Sequence, residues 1–124
     1  MPSDEFSEEQ QELSKRLIKA GLNKNLAKTL VFVASKSETK SREIESVTDL
    51  RQPEVSIAMQ ELRDKEWITK RDIKKEGKGR PVHAYSLDKS IDEIISEIEE
   101  KEKERIQEIE ENLEKINDLI ESIY

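Results

Sequence analysis

SREIESVTDLRQPEVSIAMQELRDKEWITKRDIKKEGKGRPVHAYSL, residues 41–87, is the stretch that decides the fold. Its first part predicts two short helices joined by a tight turn at residues 51–52. Ser41 is expected to cap the first helix, and Pro53 lies in the first turn of the second, where its missing N–H costs little. Apolar residues at helical spacing predict one buried face on each helix: Ile44, Val47 and Leu50 in the first, and Val55, Ala58, Met59 and Leu62 in the second.

The second part of this stretch predicts a basic β-hairpin. Segments 67–74 and 81–87 are rich in β-branched and aromatic residues, and the two glycines of KEGKGR (75–80) permit a turn between them. Trp67 is expected to fill the core where the hairpin meets the helices. Two helices, a turn and a basic hairpin in this order predict a winged helix-turn-helix, a module that places its second helix in a DNA major groove.

Two more helices are predicted before this stretch. The first spans residues 7–20, and Gly21 is its expected C-terminal cap. The second spans 23–35 with Asn23 as its N-cap, and 37–40 is expected to be a loop. Their predicted buried faces are Leu13, Leu17 and Ile18 in the first helix, and Leu26, Leu30, Val31 and Ala34 in the second.

A single long helix is predicted at 90–124, where no glycine or proline interrupts the chain. Its apolar residues follow a heptad spacing, which is typical of a coiled coil. The same residues could instead pack within their own chain, but the strict heptad and the scarcity of apolar residues favour a partner. The seam residues expected at a dimer interface are Ile106, Ile109, Leu113, Ile116, Ile120 and Ile123.

Charge is distributed unevenly along these 124 residues, of which 41% are charged and 33% apolar. The net charge is −7 overall, but residues 88–124 alone carry 14 acidic and 5 basic side chains. Segment 65–83 has the opposite balance, with 7 basic and 3 acidic residues, as a phosphate-binding patch would. The absence of cysteine excludes thiol chemistry, and no transmembrane or signal segment is recognisable, so a cytoplasmic location is expected.

The outward residues of the second helix of the pair, 53–64, together with those just before it, are the candidates for base contacts. They are short and mixed, and glutamine and serine can hydrogen-bond to base edges. Basic residues around them are the candidates for phosphate or minor-groove contacts. The first set is Gln52, Glu54, Ser56, Ile57 and Gln60, and the second is Arg42, Arg51, Lys74, Lys75, Lys78 and Arg80.

Two other motifs have simpler alternatives. GKGRP (77–81) is similar to the Gly-Arg-Pro core of hooks that enter A·T-rich minor grooves, although a plain hairpin turn with solvated charges would look the same. His83 is the single histidine, and without cysteine it cannot form a metal site, so a structural role on the strand is expected.

The runs GLNKNLAKTLVFVAS, SREIESVTDLRQPEVSIAMQELRDKEWITKR and GKGRPVHAYSL together resemble the archaeal winged-helix transcriptional regulators of the TrmB, MarR and ArsR type over about residues 20–87. The resemblance implies that RQPEVSIAMQEL is the recognition helix and that KKEGKGRP is the wing. Such families often have glycines where Asp49 and Glu66 stand here. The chain is too short for a TrmB-type sugar-binding domain and lacks the cysteines of metal-sensing ArsR members, so no small-molecule effector is identified.

The sequence therefore predicts a mostly helical protein with a small β-hairpin wing. Residues 1–88 would form a winged helix-turn-helix DNA-binding domain, and 89–124 a coiled-coil dimerisation helix. The predicted function is that of a homodimeric, sequence-specific double-stranded DNA-binding transcriptional regulator, with helix 53–64 in the major groove and the wing 74–81 on phosphates or the minor groove. The alternative is a protein–protein assembly module that uses the acidic coiled coil. No catalytic constellation, metal site or cofactor motif is recognisable.

Overall fold

A computed structural model describes residues 6–73 and 82–124 of the chain. It divides into two compact units, residues 1–91 and 92–124. The arrangement confirms the predicted fold class, which is mostly helical with a small antiparallel sheet and a long C-terminal helix. The elements in chain order are α1 (Glu8–Lys19), α2 (Lys24–Ala34), β1 (Thr39–Lys40), α3 (Ser41–Thr48), α4 (Gln52–Asp64), β2 (Ile68–Ile73), β3 (Val82–Leu87) and α5 (Ile91–Ile123).

The connection between α1 and α2 is set by local hydrogen bonds. The backbone N–H of Gly21 donates to Ile18 and that of Leu22 to Leu17, and Gly21 has a φ of 108°, a conformation that glycine adopts without strain. Two residues later, the side-chain oxygen of Asn23 accepts the N–H of Leu26 at 2.9 Å. The predicted helix stop at Gly21 and the predicted Asn23 cap are both confirmed.

The core of the first unit is built around α2. This helix is buried on nearly every side, because α1, α3, α4 and β3 all contact it. Helices α3 and α4 each add one apolar face, as predicted, and Trp67 is buried at the start of the hairpin. Fully buried side chains from three helices meet here, among them Leu30, Phe32, Ile44, Met59 and Leu62.

Four local predictions are wrong. Residues 37–40 were expected to be a loop, but Thr39 and Lys40 pair with Tyr85 and Ala84 of β3, so the sheet has the order β1-β3-β2. Residue 52 belongs to α4 rather than to the turn, and α3 begins at Ser41 itself, with Lys40 as the residue before the helix. Leu13 and Ile18 of α1 are exposed, and only Leu17 of that predicted face is buried.

Both chain reversals around α4 use a residue with positive φ other than glycine. Asp49 follows α3 with a φ of 59°, and Glu66 follows α4 with a φ of 62°. At the second site the N–H of Glu66 donates to Arg63 and that of Trp67 to Leu62, which is the hydrogen-bond pattern of a glycine-type helix stop. Glycine would adopt either conformation without strain.

The second unit is one helix whose C-terminal half is mostly polar outside the seam, with Leu119 and Tyr124 as exposed apolar residues beside it. Each of the six seam residues exposes between 45% and 66% of its surface. Across residues 6–73 and 82–124, no helix is both long and apolar enough to cross a membrane.

Candidate nucleic-acid interface

Helix α4 presents one face to the core and the opposite face to solvent. Val55, Ala58, Met59 and Leu62 are buried at helical spacing, which leaves the residues between them outward. Of the five predicted base-contact residues in and before this helix, Gln52, Ser56, Ile57 and Gln60 are exposed, and Glu54 is half-buried. The structure therefore brings Gln52, Ser56, Ile57 and Gln60 together on the accessible side of α4, whereas Glu54 is only partly accessible.

The polar residues on this face form a ladder of short hydrogen bonds along the helix. The amide of Gln52 donates to the hydroxyl of Ser56 at 2.9 Å, and the amide of Gln60 donates to the carboxylate of Asp64 at 2.8 Å. These contacts are exposed and one helical turn long. Such side chains can give up a hydrogen bond to a neighbouring residue and form one to a base edge at small energetic cost, because the existing hydrogen bond already competes with water.

Glu54 has a structural role at the start of α4. Its carboxylate accepts the backbone N–H of Arg51 at 2.9 Å, which satisfies a donor at the start of α4 and places a negative charge where the helix dipole favours it. The sequence contains the signal for this capping contact, because an acidic residue is the third residue of the helix.

A shallow groove runs beside the exposed face of α4. It has a volume of about 370 Å³ and lies between the start of α2 and the middle of α4. The amide of Asn23 donates to Glu61 across it at 3.2 Å, so the same asparagine caps α2 and links it to α4. Ile57 lies on the rim of the groove with 61% of its surface exposed, which is a large apolar exposure for so small a unit.

The basic residues predicted to contact phosphate fall into two groups. Arg42, in the first turn of α3, and Arg51, just before α4, are both exposed. The tip of the wing, 74–81, with Lys74, Lys75, Lys78 and Arg80, lies outside the described residues. The described part of the site therefore has one arginine at the start of each helix of the helix-turn-helix pair.

The base of the wing carries two exposed basic residues that the sequence pattern does not single out, Lys70 and Arg71 of β2. The Arg71 guanidinium donates two hydrogen bonds to Glu38, at 2.8 and 3.1 Å, and so ties β2 to the segment before β1. This hydrogen bond lowers the pKa of the Glu38 carboxyl, and the carboxylate raises the pKa of Arg71. Because the Glu38 pKa is lowered on folding, the pair contributes stability above the ordinary carboxyl range and loses it as the pH falls.

His83 faces Asp72 across the hairpin, where the two residues are direct partners in the β2–β3 register. Their side chains lie 2.7 Å apart, Nδ1 to Oδ1, on an exposed surface. This contact fits the predicted structural role on the wing strand. Among the described residues, no cluster of three or more metal-binding side chains occurs.

Comparison with known proteins reveals similarity in structure but not in sequence. No protein-family model matches the chain, and no curated protein sequence matches it. Among solved structures, TrmBL2, an archaeal chromatin protein with a novel mode of DNA binding, is similar with a TM-score of 0.63 and 17% identity. The match covers 90% of this chain and 40% of that protein, so this chain spans about two fifths of the length of TrmBL2.

Two other solved structures are similar over most of both chains. A possible transcriptional regulator from Methanosarcina mazei Go1 has a TM-score of 0.59 and 20% identity, over 78% of this chain and 86% of that one. NMB1585, a MarR family regulator from Neisseria meningitidis, has a TM-score of 0.50 and 18% identity, over 90% of this chain and 85% of that one. At these identities the likeness establishes the fold, and the predicted winged helix-turn-helix is confirmed.

Proposed function

We propose that this protein is a transcriptional regulator that binds double-stranded DNA as a homodimer and recognises sequence through α4. The observation that carries the proposal is the exposed face of α4. On a chain with 41% charged residues, this face is built mainly from short uncharged side chains, namely Gln52, Ser56, Ile57 and Gln60. Glutamine and serine can exchange hydrogen bonds with base edges, and isoleucine can contact a thymine methyl group.

Charge placement supports the same proposal. In the proposed complex α4 lies in the major groove, Arg42 and Arg51 contact phosphates near the helix starts, and the basic wing 74–81 reaches phosphates or the minor groove. Residues 1–88 act as the DNA-binding domain and 89–124 as the dimerisation helix. The acidity of the chain does not oppose this arrangement, because its net negative charge comes from residues 88–124.

A fluorescence-anisotropy titration tests the proposal. The labelled probe is genomic DNA from around the protein's own promoter, the competitor is a random duplex of equal length, and both are titrated at two salt concentrations. Preference for the promoter, with an affinity that falls steeply as salt rises, is the expected result, because bound phosphates release their counterions. Equal affinity for both duplexes would contradict sequence recognition.

One observation favours a second function, a protein–protein assembly module. The outer half of α5 combines an exposed apolar stripe with an acidic surface, which could contact another protein in place of a second copy. The same titration separates the two functions. Failure to bind either duplex at low salt would exclude DNA binding and leave assembly as the function to test.

A further inference from the structure

The residues beside the apolar stripe of α5 indicate the direction in which two copies of this helix would pair. In the heptad frame the first core position is occupied by residues 106, 113 and 120, and the second by 109, 116 and 123. The seam begins abruptly, because the preceding heptad has Glu99 and Glu102 at these positions. Two further heptad positions flank the seam, one on each side, and hold Arg105, Asn112 and Leu119 on one side and Glu110, Asn117 and Tyr124 on the other.

These flanking residues match in pairs separated by five positions. Arg105 and Glu110 have opposite charge, Asn112 and Asn117 are both amides, and Leu119 and Tyr124 are both apolar. All six are exposed, and Leu119 and Tyr124 expose 59% and 94% of their surface. In a parallel, in-register coiled coil, each residue of the first set faces the residue of the second set that lies five positions later in the other copy. Every flanking pair of a parallel, in-register coil would therefore be chemically matched.

An antiparallel arrangement loses this match. One antiparallel alignment still pairs all six core residues, and in it Ile106 of one copy lies beside Ile123 of the other. It would place Arg105 beside Leu119 of the second copy and Glu110 beside Tyr124, while the asparagines would meet their own counterparts. The two charged residues would then lack an opposite charge, and the two apolar flanking residues would be separated. Because the flanking residues are matched in the parallel coil and unmatched in the antiparallel one, the parallel arrangement is favoured.

The single copy leaves these flanking charges available. Within the described part of the chain, Arg105 pairs with Glu102 of the same helix at 3.1 Å, and because 58% of the Arg105 side chain is exposed, such a surface pair is weak. Within the described part of the chain no ion pair involves Glu110. Pairing with a second copy would therefore give Glu110 an opposite charge without breaking a strong existing contact.

The core residues and the flanking residues favour different numbers of strands in the coil. The second core position is isoleucine throughout, a choice that by itself shifts parallel coils toward three or four strands. Four of the six flanking residues are charged or amide side chains, and higher-order coils bury these positions more deeply than dimers do. Burying charged and polar groups carries a desolvation cost, which favours two strands.

We propose that residues 105–124 pair with the same segment of a second copy as a parallel, in-register, two-stranded coiled coil. This inference rests on the homodimer of the proposed function and adds its orientation and register. Because both chains run in the same direction, both DNA-binding domains join the coil at the same end. Two recognition helices can then reach neighbouring half-sites of one operator.

Single cysteines in the full-length chain test the orientation, since the natural sequence has none. In a parallel coil, Ile106→Cys and Ile123→Cys each meet their own copy, so each variant alone should form a disulfide-linked dimer in mild oxidant. In the antiparallel coil two copies of residue 106 would lie about 25 Å apart along the helices, far beyond the roughly 7 Å that a disulfide spans between Cα atoms. Ser122→Cys, on the outer face, is the control that should not cross-link efficiently.

Charge reversal provides a second measurement that does not depend on cysteine. Arg105→Glu alone and Glu110→Arg alone place like charges together in a parallel coil, and each should raise the dimer dissociation constant about tenfold at low salt. An equimolar mixture of the two variants should form a heterodimer about as stable as the natural dimer, because the opposite charges meet again. Sedimentation velocity without DNA measures all three states.

The outcomes separate this proposal from the one on which it rests. Disulfide-linked dimers from each cysteine variant alone, with recovery in the charge mixture, would support the parallel coil. Cross-linking only when Ile106→Cys and Ile123→Cys are mixed would overturn the orientation and leave the homodimer intact. A monomer by sedimentation would overturn both, and a trimer or tetramer would overturn the two-stranded coil.

Discussion

At the residue scale, the two positive-φ positions around α4 are where the backbone is strained. A side chain with a Cβ is disfavoured in the left-handed region by about 1–2 kcal/mol, although aspartate is tolerated there better than glutamate. Glu66 is therefore the more strained of the two. Its conformation persists because Trp67 and Leu62, which follow and precede it, are both buried and hold the chain reversal in place.

Glu66→Gly should stabilise the protein by about 1 kcal/mol, because glycine removes the strain at the stop of α4. Equilibrium denaturation with urea measures the change as a shift of the midpoint. Glu66→Ala is the matched control, since it removes the carboxylate and keeps the Cβ. Equal stability of the two variants would show that Glu66 is not strained.

Thr29 offers a second residue-scale prediction. Its side chain is buried in α2, and its hydroxyl has no hydrogen-bond partner within the described part of the chain. Thr29→Val should stabilise the protein by about 1 kcal/mol, since the replacement keeps the shape and removes an unsatisfied polar group. Thr48→Val, at a buried threonine whose hydroxyl donates to the carbonyl of Ile44, should instead destabilise it. The same sign for both variants in urea denaturation would contradict this account.

At the element scale, the two faces of α4 have different roles, because the buried face stabilises the fold and the exposed face is the one proposed to recognise DNA. Its inner residues are buried between α2 and the hairpin, while Gln60 lies on the exposed face and donates a hydrogen bond to Asp64 one turn away. Changes on the outer face should therefore leave the fold intact. This separation makes α4 the element on which sequence recognition can be tested directly.

Gln60→Ala should reduce the preference for the specific duplex by about 1–3 kcal/mol, because a glutamine that reads a base loses its hydrogen bonds. Competition anisotropy against random DNA measures the effect, and circular dichroism checks the fold. Arg80→Ala is the comparison, since loss of a phosphate contact should weaken binding to all sequences alike. If Gln60→Ala weakened specific and random DNA equally, its assigned role would be wrong.

At the scale of the whole molecule, the function proposed here requires two copies to act together. A single small module has few base contacts, and linking two of them raises the effective affinity for a two-part site without new contacts. The exposed seam of α5 is the surface assigned to that task. Its disruption should therefore weaken DNA binding even though the seam is not itself a DNA contact.

Ile116→Lys places a charge in the centre of the seam and should convert the dimer into a monomer. Affinity for a two-half-site operator should then fall roughly 100-fold, because the two half-sites are no longer bound together. Ser122→Lys makes the same change of charge on the outer face of α5 and should keep both dimer and affinity. Sedimentation velocity and anisotropy measure the two effects. A monomeric Ile116→Lys that binds as tightly as the natural protein would separate DNA binding from dimerisation.

The sequence by itself determined the parts of this protein that depend on neighbours a few residues apart. Helical spacing predicted the five helices of the described residues, Gly21 and Asn23 predicted where α1 ends and α2 begins, and the heptad spacing identified the seam of α5. Asp49 and Glu66 stood out only through the resemblance to families that often have glycine there, and their positive φ was seen only in the structure. Hydrogen bonds within a turn and the period of buried side chains are local properties, so they can be predicted from the order of residues alone.

Only the tertiary structure decided which distant segments meet. Thr39 was expected in a loop, and it becomes a strand because β3 offers it backbone partners 46 positions later, at Tyr85. The pair of Glu38 with Arg71 arises in the same way. Leu13 matched the helical pattern and is nevertheless exposed, because no element of the described residues covers it fully. Burial and strand pairing depend on where other parts of the chain come to lie, and a residue's local sequence does not contain that information.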